Sequence, residues 1–156
     1  MKEIKNIEFT IKGILVTKFS LDLKEELVKR QAQEPNFNEY TFEVNVLNQG
    51  YIKENILNSM ISMKVFLDKE KKTELGNISI SNIFEINNLN EFVNEKENSL
   101  NLPDSFEASI IGISLSHTRA IFVTKCAGTF LQNAVMPILN PTEFLKNQQG
   151  EMGKSK

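Results

Sequence analysis

The stretch SHTRAIFVTKCAGTF carries the only histidine, His117, and the only cysteine, Cys126, of the 156-residue chain. A histidine beside a cysteine is the pair that turns a thiol into a nucleophilic thiolate. The spacing forbids that pair here. Nine residues carry a helix through about 900°, half a turn out of phase, and on a strand an odd separation also puts two side chains on opposite faces. Cys126 therefore reads as a small buried hydrophobe, and His117 as a helix residue satisfied at an interface. A single cysteine excludes an intrachain disulfide and a cysteine-rich zinc site. One histidine, without H-E-x-x-H or metal-spaced carboxylates, builds no zinc centre. The patterns G-x-x-x-x-G-K-[ST], G-x-G-x-x-G and G-x-S-x-G do not occur. The expectation is a protein with no catalytic residue, metal or cofactor.

The net charge of −2 is too small to predict nucleic-acid or anionic-membrane binding by charge. The charged start MKEIKNIEFTIKG lacks a signal-peptide apolar region, and no apolar run reaches the ~18 residues that would span a bilayer. A cytoplasmic protein without membrane insertion is expected. The length fits one domain, residues 1–150, followed by a frayed tail, 151–156.

Four strands can be read from alternation. The first has Ile7, Phe9, Ile11, Gly13, Leu15, Thr17, Phe19, Leu21 and Leu23 on one face, with a bend near Gly13. The polar KEELVKRQAQEPN follows as a connection with a helical turn, ending before Pro35. EYTFEVNVL is the second strand, with Tyr40, Phe42, Val44 and Val46 inward. NILNSMISMKVFLD is the third, with Leu57, Ile61, Met63, Val65 and Leu67 inward. LGNISISNIFEI is the fourth, with Ile78, Ile80, Phe84 and Ile86 opposed to Asn77, Ser79 and Ser81. Such short connections favour an antiparallel sheet. A long connection, Asn87 to Leu102, keeps apolar anchors.

Pro103 then suits the first turn of a long helix and Gly128 its stop. At about 100° per residue, Phe106, Ile110, Ile113, His117 and Ile121 form one stripe. Ile111, Leu115, Phe122 and Cys126 form another, nearly opposite. A small-residue seam, Ser105, Ser109, Gly112 and Ser116, lies between them, and Glu107, Ser114 and Lys125 are expected to be the wet edge. One apolar side covers the sheet; the other is left for a second subunit, with the seam, Ile113 and His117 at the interface. TFLQNAVMPILNP reads as extended, and TEFLKNQQ as a short terminal helix capped by Thr142. Much apolar material lies at or beyond the strand ends. Phe37, Tyr40, Phe42, Phe84, Leu89, Phe92, Met136, Ile138, Leu139 and Phe144 are candidates for an apolar groove that holds extended chain segments.

The C-terminal third resembles SecB, the bacterial export chaperone, and its SecB-like relatives. The resemblance rests on Arg119 in the long helix, then Gly128-Thr129-Phe130, then Pro137 and Pro141, then Phe144. The order of elements from Phe9 to Leu145 fits as well. It implies an α+β fold: a four-stranded antiparallel sheet with a long helix and a short C-terminal helix on one face. It further implies a homotetramer, a dimer of dimers joined through the long helices, and an ATP-independent holdase. Its partners would be unfolded client polypeptides, either preproteins or a dedicated client such as an antitoxin. Coupling to the SecA motor runs against the residues present: Phe19, Leu23 and Asn77 stand where the family carries acidic groups, although Leu75 is kept. The alternative from another class is a non-catalytic lipid or small-molecule carrier, with a sheet–helix cavity lined by Phe84 and Phe106.

Overall fold

The computed structural model describes residues 6–97 and 99–152, with side chains through residue 147. The fold is α+β. Strands β1 (Phe9–Leu21), β2 (Thr41–Tyr51), β3 (Ile56–Phe66) and β4 (Glu74–Ile86) form an antiparallel sheet in the order β1-β4-β3-β2. Helix α1 (Glu25–Gln33) joins β1 to β2, the long α2 (Asp104–Cys126) lies on the sheet, and α3 (Pro141–Met152) closes the described chain. α3 runs through Met152, and residues 153–156, where most of the expected tail falls, lie outside the described residues, as do 1–5 at the start. Among the described residues, no helix is long and apolar enough to cross a membrane.

The inward parities of β3 and β4 follow the sequence. Leu57, Ile61, Met63 and Val65 are fully buried beneath α2, as are Ile78, Ile80, Phe84 and Ile86. On β2 the row Phe42, Val44 and Val46 packs against the same core, and the strand runs on past Leu47 to Tyr51. β1 departs from strict alternation. Its register against β4 shifts between Ile11 and Gly13 and again between Val16 and Lys18. Each extra residue flips the parity. The helix-side row is therefore Phe9, Ile11, Ile14, Val16, Phe19 and Leu21, while Gly13 and Leu15 face the other side. The 2-3-2-3-2 spacing of these six apolar residues is the sequence trace of the two bulges.

Where only a turn was expected, KEELVKRQAQ makes a nine-residue helix with Glu25 and Glu26 in its first turn and Leu27 buried. Carboxylates there meet the positive end of the helix dipole. The connection after β4 folds into a short hairpin of β5 (Val93–Asn94) and β6 (Ser99–Leu100), a two-stranded sheet of its own.

α2 ends as its sequence predicts, with Gly128 at φ +75, a conformation open to glycine. Thr129 Oγ1 then donates to the Cys126 carbonyl at 2.7 Å. For α3 the cap is Asn140 and not Thr142: Asn140 Oδ1 accepts from the backbone N–H of Thr142 at 3.0 Å and of Glu143 at 3.4 Å, and Pro141 takes the first helical position.

α2 also docks the other way round from the expectation. Its buried residues are Ile110, Ile111, Ser114, Leu115, Thr118, Phe122 and Cys126, a single continuous face. Ser114, expected in water, is fully buried. Glu107 is half-buried and accepts from Asn48 Nδ2 at 3.0 Å. Of the expected wet edge only Lys125 stays exposed, its ammonium 5.3 Å from the centre of the Phe19 ring. The two apolar stripes thus flank a polar edge that meets the sheet, and the small-residue seam faces out. The reason lies in the sheet, whose middle row beneath the helix is itself polar.

Candidate functional site

The helix separates His117 and Cys126 as the spacing requires. Cys126 is buried in the larger apolar cluster. Burial pushes its thiol up to about 11, only partly offset by the Thr129 hydroxyl, so it is not a ready nucleophile. His117 is half-buried on the other side of α2, with Nδ1 2.8 Å from Asn82 Oδ1. Asn82 Nδ2 is committed to the Ser59 carbonyl at 3.1 Å, so Asn82 presents its oxygen and His117 Nδ1 donates. Burial holds the His117 imidazole below its ordinary value.

The ten groove candidates do not gather in one trough. Phe84 and Leu89 lie fully buried in one apolar cluster, and Met136 in the other. Phe92 is half-buried against the first of these, and Leu139 against the second. Phe144 is half-buried on α3. Ile138, 87% exposed, stands in solvent. Phe37, Tyr40 and Phe42 do come together, at the entry to β2. The Phe37 and Tyr40 rings meet edge-on at 5.4 Å, the Arg30 guanidinium lies 5.0 Å from the Phe37 centroid, and Phe42 packs edge-on to Phe122 at 6.4 Å. Between α1, this entry and the β3–β4 turn opens a groove of about 580 Å³, with Phe37, Tyr40 and Leu67 in its wall and Lys29, Lys69 and Asp68 at its rim. Partial burial raises the Tyr40 phenol, eased by a hydrogen bond with Gln31. Asp68 shapes the rim: it accepts from the backbone N–H of Lys72 and of Thr73, at 2.8 and 2.9 Å. The first of these bonds is the main reason its carboxyl sits below the usual range.

The six interface candidates do share one face. Ser105, Ser109 and Ser116 are exposed; Gly112, Ile113 and His117 are half-buried. They border an open furrow of about 600 Å³ that Pro141 and Thr142 close at one side. α2 does not cover β1 beside it. Phe9, Ile11, Ile14 and Val16 keep 37–43% exposure although their parity faces the helix side.

Arg119 shows why its position matters: Nε donates to the Met136 carbonyl at 3.3 Å and Nη2 to the Pro137 carbonyl at 3.1 Å, fixing the strap between α2 and α3. Phe84 and Phe106, the expected cavity walls, share a packed neighbour. The Phe9 ring stands edge-on to both, at 5.8 and 5.7 Å. The four positions singled out by the resemblance do not share one surface: Phe19 is half-buried on the helix side, Leu75 is in the core, Leu23 is exposed, and Asn77 donates to Glu74 at 2.9 Å. Asn48, Ser59 and Asn82 were missed by sequence reasoning. Their signal was parity, since each occupies an inward position of its strand. Among the described residues no three His, Cys, Asp or Glu side chains come together as a metal site.

Comparison with protein-family models finds no match, and comparison with curated proteins finds no relative.

Proposed function

We propose that this chain is a SecB-like holdase, a cytoplasmic chaperone that binds unfolded or unstable polypeptides without ATP. One observation carries the reading. The helix side of β1 is only partly covered in a single chain: Phe9, Ile11, Ile14 and Val16 keep 37–43% exposure, and the small-residue seam of α2 faces out onto an open furrow. A row of four apolar side chains left this exposed on one strand face marks a contact surface. A second copy completes it, which fits the homotetramer of the resembled family. Once it is covered, the groove beside Phe37 and Tyr40 remains to take apolar side chains of a client, at about 25 cal/mol per Å² removed from water. Several weak grooves on one assembly then add through effective concentration.

The buried, high-pKa thiol of Cys126 fits a binding protein better than a thiol enzyme. A carrier built on Phe84 and Phe106 is disfavoured by the Phe9 ring between them. The client is an unfolded preprotein or a dedicated partner such as an antitoxin. SecA docking lacks its acidic positions.

The test is aggregation of a denatured protein, followed by light scattering with native mass spectrometry in parallel. A mass near four subunits of 17.8 kDa, with suppression near one tetramer per client, supports the proposal. A monomer that leaves aggregation unchanged at several-fold excess refutes it.

A further inference from the structure

The apolar interior of this fold is split. One cluster gathers Ile61, Met63, Ile78, Ile80, Leu115 and Phe122. The other gathers Leu57, Phe84, Ile86, Leu89, Leu102 and Ile110. Between them runs a polar row, Asn48, Ser59 and Asn82, in register across β2, β3 and β4. The polar edge of α2 lies over it, and the helix is pinned at two points, Asn48 to Glu107 and His117 to Asn82. Ser59 Oγ, Ser114 Oγ and Asn48 Oδ1 are buried there without a hydrogen-bond partner. Ser114 differs in this from Ser109, Ser116, Thr118 and Thr124, each of which donates to the carbonyl four residues back. The connection that leads into α2 pairs β5 only with β6, so no ladder binds it to the main sheet.

We propose that the polar row is a fracture line. The connection from Asn87 to Pro103 and the first three turns of α2, through Ser114, form a flap that lifts while the rest of the fold holds, baring Leu57, Phe84 and Leu89. A buried hydroxyl with no partner in the protein is solvated more fully once the row opens. Each one therefore lowers the cost of opening along this line. The bared surface is offered to an extended apolar segment of a client, and this part rests on the holdase reading.

Native-state hydrogen exchange of the intact protein tests the flap. Amides of 104–110 are expected to exchange through openings at least tenfold more frequent than those exposing 61–65 and 115–126. One common opening frequency for both sets overturns the proposal. In the double variant Ser59→Ala/Ser114→Ala, the flap openings become at least tenfold rarer; an unchanged frequency overturns it too. Reduced, carboxymethylated α-lactalbumin is the client probe. Bound probe is expected to speed exchange at 104–110 by holding the flap up. If the probe binds and those amides keep their rates, the client does not use this surface and that part falls. If no probe binds and aggregation is not suppressed, the holdase reading fails, while the two exchange classes still decide the flap.

Discussion

Ile14→Asp tests whether the helix side of β1 is covered in the assembled protein. Full burial of an aliphatic or aromatic side chain contributes about 1.5–3 kcal/mol. Phe9, Ile11, Ile14 and Val16 have 37–43% of that still to gain. The remainder comes to about 1 kcal/mol each, about 4 kcal/mol per chain and about 8 kcal/mol for two chains that cover one another. Association costs about 4–15 kcal/mol in lost freedom, so the β1 row alone gives marginal pairing and needs the α2 seam beside it. Aspartate at residue 14 removes the contact and places a carboxylate against apolar surface, a penalty of several kcal/mol per ion. With one such change in each chain, a loss of at least about 4 kcal/mol weakens association about a thousandfold. The single chain should tolerate the change, because Ile14 is 39% exposed there. Native mass spectrometry at micromolar concentration is the assay, with far-ultraviolet circular dichroism as the control. The expected result is a folded monomer. A variant that keeps the wild-type mass and fold refutes the idea that this row is covered by another copy.

Three further outcomes follow from single side chains. His117 is held below its ordinary value by burial, so the unfolded chain takes up its proton first as pH falls. Stability should be complete above about pH 7 and decline as pH drops through the unfolded value of 6.5 toward the folded one; urea midpoints across this window should lose that slope in His117→Gln, and an unchanged slope would sink the assignment. Arg119→Ala removes two charge-assisted bonds to the Met136 and Pro137 carbonyls, a loss of about 1.5–3 kcal/mol. Limited chymotrypsin digestion should then cut at Phe130–Leu131 well before the wild type, and equal cleavage times would remove the strap role. Cys126 should resist iodoacetamide at pH 8 until urea unfolds the chain, given its burial and raised pKa; prompt labelling of the native protein would contradict its place in the core.

How far the fold was legible depended on one-residue accounting. β3 and β4 carry no extra residue along their apolar rows, so counting by two placed Leu57 to Val65 and Ile78 to Ile86 correctly. β1 carries two extra residues, and counting by two then sends Leu15 to the wrong face. The apolar lists for β3 and β4 also stepped over Ser59 and Asn82, whose inward parity was plain and whose polarity should have drawn notice. The α2 pattern had two solutions. A polar edge and a small-residue seam both separate its apolar stripes, and hydropathy alone sends the polar edge to water. The choice is made by the sheet, which no property of the helix segment reveals. The groove residues show a similar limit: Phe37 and Leu89 look alike in sequence, yet one lines an open furrow and the other is fully buried.

The orientation of α2 bears on assembly through a comparison of its two long edges. With the opposite roll, Glu107 and Ser114 would reach water, and the seam of Ser105, Ser109, Gly112 and Ser116 would bring the helix axis close to the sheet. That roll would return the Ser114 hydroxyl to water. The observed roll leaves Ser59 Oγ and Ser114 Oγ unbonded, each a cost of about 1–3 kcal/mol. It also turns the side that permits the closest helix–helix approach, toward the short end of the usual 8–10 Å spacing, away from the chain's own sheet. A fold that accepts this cost at the polar row gains an outer helix face fit for another backbone. The same unbonded row weakens the grip of α2 on the sheet. On the proposed assembly, a second copy and the proposed flap would act on one helix from its two sides, and covering the seam should change how often the polar row parts.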